Sequence, residues 1–140
     1  MTDCIFCKII NGEIPSAKVY EDEEVYAFLD ISQVTKGHTL VIPKQHTKNI
    51  YETHPQVASN VFARIPKIAT AVKSAFDADG VNIVNNNDEA AYQSVFHLHI
   101  HVLPRYENGD GFGVKWTDNS QSYTTEQLQE LSQVIAEKIS

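Results

Sequence analysis

Three histidines, His97, His99 and His101, recur at i, i+2 and i+4 and alternate with Leu98, Ile100 and Val102 before the run closes on Leu103-Pro104-Arg105. On an extended strand, side chains alternate faces, so the imidazoles share one face and the aliphatics the other. A rise of about 3.3 Å per residue spaces successive imidazoles by roughly 6.6 Å. The aliphatic row has the ordinary work of covering a core. The imidazole row needs another reason, because histidine titrates near neutrality, ligates metals and attacks phosphorus. Two chemistries suit it. Alternate histidines could chelate a catalytic metal, which calls for a third ligand; Asp88 and Glu89 are the nearby carboxylates, neither at a telling position. Alternatively, one neutral imidazole is a nucleophile whose second nitrogen donates to a fixed acceptor, while a neighbouring imidazole or hydroxyl serves the leaving group. Gln93 and Ser94 lie close by in sequence, and such polar hydrogen bonders outnumber candidate ligands, which favours the nucleophile.

Cys4 and Cys7 are the only cysteines and form a C-x-x-C pair. A structural disulfide suits a chain with no export signal poorly. A redox pair of the thioredoxin type belongs at a helix N-terminus just after a strand, and nothing here precedes it. Half of a zinc site fits best, the other ligands coming from the six histidines. His46, taken alone, reads as a surface loop residue.

The elements that must position these groups follow from periodicity. Residues 11–15 make a turn. Residues 17–20 and 25–30 are β-rich runs flanking the acidic turn 21–24 and predict a hairpin. Asp30, ending the second run, is by itself a turn-starting residue. Residues 39–43, entered through Gly37, are apolar enough for a central strand. From Thr53 the period changes: Val57, Val61, Ile65, Ile68, Ala69, Val72 and Phe76 mark an amphipathic helix starting near Pro55, kinked at Pro66 and stopping between Asp77 and Gly80. Residues 81–84 are a strand running into the polar loop 85–88, and residues 107–113 are a flexible glycine-rich loop that matches no phosphate-binding fingerprint. A last helix over 125–139 opens on a capping box of Thr124 and Gln127 and is expected to turn Leu128, Leu131, Ile135 and Ile139 inward.

A chain of 140 residues with 42% hydrophobic and 21% charged content fits one soluble domain, 1–140. No apolar run approaches the roughly 18 residues of a membrane span, and Asp3 and Lys8 interrupt the start before a signal sequence could form, so the cytoplasm is the expected compartment. A net charge of −7 argues against a broad grip on nucleic acid or an anionic membrane. It leaves room for a small anionic substrate held by a few local groups.

The run Phe96-His97-Leu98-His99-Ile100-His101-Val102-Leu103 closely resembles the signature of the histidine triad (HIT) family. The resemblance extends from Cys4-Ile5-Phe6-Cys7-Lys8-Ile9 through Phe28-Leu29-Asp30-Ile31, Gly37-His38-Thr39-Leu40-Val41-Ile42-Pro43-Lys44 and Gln93-Ser94 to Arg105. It is nearest to the Hint-like branch of small nucleotide hydrolases. It implies an α+β fold with an antiparallel sheet of about five strands, one long central helix and a C-terminal helix, usually as a homodimer. It implies hydrolysis at the α-phosphate of a purine nucleotide, typically a nucleoside phosphoramidate or related mixed anhydride, with no organic cofactor. Dinucleoside polyphosphate hydrolysis and non-catalytic nucleotide binding are the rival functions. By the same resemblance His99 is the nucleophile, and His101 lies beside phosphate and leaving group. Asn86, Gln93 and Ser94 hold those groups, Asp30 takes the ribose hydroxyls, and Ile5, Phe6, Ile9, Phe28 and Ile31 form the base pocket. A structural zinc falls to Cys4, Cys7, His46 and His97. Tyr92 departs from the pattern, standing where relatives commonly carry glycine; Trp116 and the last helix have no counterpart to borrow a role from.

Overall fold

The structure is a computed structural model that describes residues 3–139. A short helix, α1 (Ile5–Ile10), leads into the hairpin β1 (Lys18–Glu21) and β2 (Val25–Leu29), then β3 (Thr39–Pro43), the long helix α2 (Pro55–Ala75), β4 (Gly80–Val84), β5 (Ile100–Arg105) and α3 (Thr125–Lys138). The five strands form one antiparallel sheet in the order β1-β2-β3-β5-β4.

Alternation explains how the sheet is covered. Val25, Ala27, Val41, Ile100 and Val102 point to one face and pack against Val61, Ile65, Ile68 and Val72 of α2. Tyr26, Phe28, Leu40 and Ile42 point to the other and meet Phe6 and Ile9 of α1. With both faces covered, β2 and β3 read as unbroken apolar runs. β5 reaches β3 only through Val102, so Pro104, which cannot donate to a ladder, sits where that side is no longer paired. α2 starts on a His54 cap, whose Nδ1 accepts the Gln56 N–H at 3.1 Å, with Pro55 in the first turn. It runs on through Pro66, whose ring lies on the exposed side, so the carbonyl it leaves unpaired faces water.

Three expectations change. Regular strand pairing begins only at Ile100. His97 to His99 form an extended lead-in docked by the Leu98 N–H on the Thr47 carbonyl at 2.7 Å. The glycine-rich loop after β5 is tied down: the Arg105 guanidinium donates to Asp110, to Asn82 and to the Phe112 carbonyl. Most clearly, the inward face expected of α3 is absent. The helix forms with its capping box complete, Thr124 Oγ1 accepting from Gln127 N–H and Gln127 Oε1 from Thr124 N–H, yet Leu128, Leu131, Ile135 and Ile139 are 48–74% exposed. Every residue from 113 to 139 is exposed. Amphipathic periodicity identifies an apolar stripe but not what covers it. Among the described residues, no helix is long and apolar enough to cross a membrane.

Candidate active site

Cys4 caps the N-terminus of α1, its Sγ accepting the Cys7 N–H at 3.4 Å, and this turn sets the two thiols side by side. The pair thus does stand at a helix N-terminus, a helix the sequence reading did not foresee. His97 Nδ1 lies 3.3 Å from Cys4 Sγ and 3.7 Å from Cys7 Sγ, and His46 Nδ1 lies 3.5 Å from Cys7 Sγ. All four ligand atoms fall within 4.8 Å of one another. Zinc bonded tetrahedrally at about 2.3 Å to sulfur and about 2.0–2.1 Å to nitrogen separates the two ligand types by about 3.5 Å, so the donor set fits that ion. The His97 Nε2–H donates to the Pro43 carbonyl at 2.8 Å, which turns the Nδ1 lone pair toward the thiols. Burial pulls the His97 pKa down to about 4, so the ring is neutral at pH 7. Burial, and then the adjoining Cys4 sulfur, push the Cys7 thiol up; a cation between the two would favour thiolate instead.

On the same side of the sheet, α1 and the loops after β2 and before β5 enclose a cavity of about 430 Å3. Ile5, Phe6, Ile9, Phe28 and Ile31 supply apolar walls, while Asp30, Ser94, His99 and His101 supply polar groups. A more open depression of about 450 Å3 near His46, Lys48 and Phe96 contains no member of the pair His99–His101. His99 is 5% exposed, its ring edge-on to Phe6 at 5.2 Å. Its Nδ1–H donates to the His97 carbonyl at 2.7 Å, leaving Nε2 with a free lone pair. Burial keeps its pKa below the ordinary histidine value. His101 packs 5.1 Å from His99 between ring centres, with the two ring planes 61° apart. Burial first, and then neighbouring imidazoles, pull the His101 pKa down to about 4.

His38 was not singled out by the sequence reading, and the structure puts it against His101 and Asp30. It is 2% exposed, with Nε2 2.9 Å from His101 Nδ1 and 3.7 Å from Asp30 Oδ2. The Val34 N–H approaches its Nδ1 at 3.3 Å, which makes that nitrogen the acceptor. His38 therefore carries its proton on Nε2 and donates to His101 Nδ1, and His101 in turn carries its proton on Nε2. The ligand atoms of Asp30, His38 and His101 lie within 4.8 Å of one another, and the hydrogen bond between the two rings uses His38 Nε2 and His101 Nδ1. Gly37 holds His38 in place: its φ is +99°, and a Cβ there would come 2.7 Å from the Phe76 ring at the end of α2. In the sequence His38 is marked only as part of the run Gly37-His38-Thr39-Leu40-Val41-Ile42-Pro43-Lys44 that carries the family resemblance.

Loop 85–94 closes the pocket. Asn85 Nδ2 donates to the His99 carbonyl at 3.0 Å and Asn87 Oδ1 accepts the Ile50 N–H at 2.8 Å. Gln93 is buried, its Oε1 accepting from Asp88 N–H and its Nε2 donating to the carbonyls of Lys48 and Val95, so its carboxamide braces the loop. Ser94 lines the cavity; Asn86 and Gln93 do not. Asp88 and Tyr92 both have positive φ, +75° and +71°. Tyr92 is left-handed and 86% exposed, so it keeps a glycine-like backbone with its ring outside the pocket. Among the described residues, neither Asp88 nor Glu89 joins a metal-ligating group with His99 or His101.

The HIT domain family model matches residues 11–108, from the turn after α1 to just past β5. The chain belongs to the HIT family. The HIT protein of Bacillus subtilis (strain 168) is 58% identical over 98% of this chain and 94% of its own length. An adenylylsulfatase of Arabidopsis thaliana is 44% identical over 75% of this chain and 53% of its own. An adenosine 5'-monophosphoramidase of Candida albicans is 33% identical over 97% of this chain and 91% of its own. The sequence therefore stands with Hint-like nucleotide-binding hydrolases. Among solved structures, a crystal structure of a HIT family member from Bacillus subtilis has a TM-score of 0.95 at 57% identity, covering 99% of this chain and 98% of its own. A crystal structure from Streptococcus mutans UA159 has a TM-score of 0.95 at 53% identity, covering 100% of this chain and 87% of its own. A Zn-bound histidine triad family protein from Mycobacterium smegmatis has a TM-score of 0.76 at 37% identity, covering 98% of this chain and 99% of its own.

Proposed function

We propose that this HIT protein hydrolyses a purine nucleoside phosphoramidate, or a related mixed anhydride, at the α-phosphate through a nucleotidyl-histidine on His99. The observation that carries the reading is the Nδ1–H of His99 held on the His97 carbonyl, which leaves an unprotonated Nε2 beside the cavity. In the first step the Nε2 lone pair forms a bond to the α-phosphorus and the bond to the leaving group breaks. The His101 Nε2–H donates a hydrogen bond to the departing nitrogen or oxygen, which takes its proton from solvent. Water then attacks the phosphorus and gives its proton to solvent, and the phosphorus–Nε2 bond breaks to release the nucleoside monophosphate and neutral His99. Phe6, Phe28 and the isoleucines receive the base, Asp30 the ribose hydroxyls, and Ser94 the phosphate oxygens. His38 acts through His101 as a positioning residue.

Cys4, Cys7, His46 and His97 would hold zinc as a structural ion, pinning α1 to the lead-in of β5. The zinc-bound mycobacterial relative and the fit of the donor set support this assignment. Two free thiols suit a reducing compartment, the cytoplasm. The homodimer implied by the family resemblance completes the reading.

The test is intact-protein mass spectrometry of acid-quenched turnover with an adenosine phosphoramidate, run beside a diadenosine polyphosphate. A nucleotide adduct that maps to His99 and disappears in His99→Ala supports the proposal. Adduct formation only with the dinucleotide would assign the rival activity, and no adduct with either substrate would refute covalent catalysis.

A further inference from the structure

We propose that Gln33 is a positioning residue that sets the preference for a ribose over a sugar without hydroxyls, by fixing the backbone of Asp30. This rests on the assignment of Asp30 to the ribose hydroxyls made above. Residues 30–38 join β2 to β3 without regular structure. Asp30 stands at one end, followed by Ile31, which is fully exposed, and by Ser32, also exposed. Gly37 and His38 stand at the other end and are buried, with Gly37 close against the Phe76 ring. Packing sets the second end of the loop. It does not set the end that carries the carboxylate.

The Gln33 carboxamide ties the exposed end to the packed one. Its Nε2 donates to the Asp30 carbonyl at 2.6 Å and to the His38 carbonyl at 2.8 Å, while its Oε1 accepts the Gly37 N–H at 2.8 Å. These partners fix the orientation of the amide, since a carbonyl only accepts and an N–H only donates. Among the described residues, one backbone hydrogen bond joins the same two ends, from the Asp30 N–H to the His38 carbonyl at 3.1 Å. Asp30 is thus held through both its N–H and its carbonyl, and its side chain projects from a fixed backbone. The Ser32 N–H donates to Asp30 Oδ1 at 2.8 Å, and Oδ2 lies 3.7 Å from His38 Nε2. Lone pairs remain on the carboxylate where it lines the cavity, available to two adjacent hydroxyls. Hydrogen bonds to a charged group change affinity by about 10- to 100-fold, and they weaken steeply when the angle is lost. A carboxylate on an untied loop forfeits that factor. Most walls of the base pocket do not depend on the loop, because Ile5, Phe6 and Ile9 belong to α1 and Phe28 to β2.

The test is calorimetric titration of the full chain with AMP and with 2′,3′-dideoxy-AMP, which offers Asp30 no hydroxyl. Wild type should favour AMP by about 10-fold or more, and Asp30→Ala should lose that preference. Gln33→Met keeps the length of the side chain without its hydrogen bonds. It should weaken AMP by about 10-fold and leave the dideoxynucleotide within about 2-fold of wild type. Gln33→Glu, which turns a carboxylate toward the two carbonyls, should do the same. Lys36→Met is the control on the same loop, its ammonium lying over the Phe76 ring at 5.3 Å, and should change neither affinity. Equal weakening of both nucleotides in the Gln33 variants would make Gln33 a residue of general stability and overturn the proposal. A preference lost in Asp30→Ala but kept in Gln33→Met overturns the role of Gln33 alone. A preference kept in Asp30→Ala overturns the ribose assignment and this proposal with it, as does a chain that binds no AMP. Amide exchange read by NMR needs no variant to decide: the Gly37 N–H should be protected in wild type, and fast exchange there overturns the proposal.

Discussion

The hydrogen-bond chain from Val34 through His38 to His101 gives the sharpest prediction. In His38→Phe the ring volume is kept, but the donor 2.9 Å from His101 Nδ1 is gone. Either that nitrogen is left without a partner, at a cost of about 1–3 kcal/mol, or the His101 proton moves to Nδ1 and Nε2 can no longer donate. Each 1.36 kcal/mol is a factor of ten in rate, so kcat should fall by about 10- to 100-fold. KM should move little, because the apolar walls and Asp30 are untouched. His38→Gln restores a donor and should recover much of the loss. The assay is steady-state hydrolysis of an adenosine phosphoramidate, with fluorescence binding of the product nucleotide as a check on the pocket. Nitrogen-15 NMR of labelled histidine reads the tautomer directly, independent of activity. A wild-type His101 protonated on Nδ1, or a His38→Phe enzyme with full kcat, would refute the reasoning.

Other outcomes follow from the same structure. Gly37→Ala places a Cβ 2.7 Å from Phe76 at a φ of +99° and should cost about 2–4 kcal/mol, lowering Tm by about 10 °C in a thermal melt. Phe76→Leu in the same chain should recover part of that. Tyr92→Gly relieves a left-handed φ without removing a packed ring, so its Tm should match or exceed wild type, whereas Tyr92→Val should lose about 1–2 kcal/mol. Cys7→Ser should lose zinc by elemental analysis and drop Tm by about 10 °C, while the nucleotide adduct on His99 still forms. The histidine pKa shifts set a pH window. His101 is about 4 when folded and near 6.5 when unfolded, so the unfolded chain binds the extra proton between those values. Stability is then full above about 6.5 and falls by up to about 1.4 kcal/mol per pH unit toward 4. Urea titrations between pH 7 and pH 4.5 should show the midpoint falling, and His101→Asn should flatten that slope.

The fold was largely legible because its signals are local. The β-rich apolar runs at residues 25–29 and 39–43, and the three-to-four spacing from Val57 to Val72, are written within single elements. The capping box of α3 was legible for the same reason. What stayed hidden depends on contacts across the chain. His38 and His101 are 63 residues apart, so nothing near His38 marks it as the partner of His101. The carboxamide of Gln93 reads as a phosphate ligand until the strained loop that it braces is seen. Six residues of α1 are too few for a helical period to show, and the exposed stripe of α3 looks in sequence like any core-facing one.

His97 serves both centres, through different atoms. Its imidazole faces the thiols, whereas its backbone carbonyl receives the proton of the nucleophile. A carbonyl is common to all twenty residues, so the aim of His99 is indifferent to what side chain stands at position 97. The two centres are therefore evolutionarily separable. A lineage that replaced both cysteines and their histidines with packed apolar groups would still inherit a nucleophile in the correct tautomer.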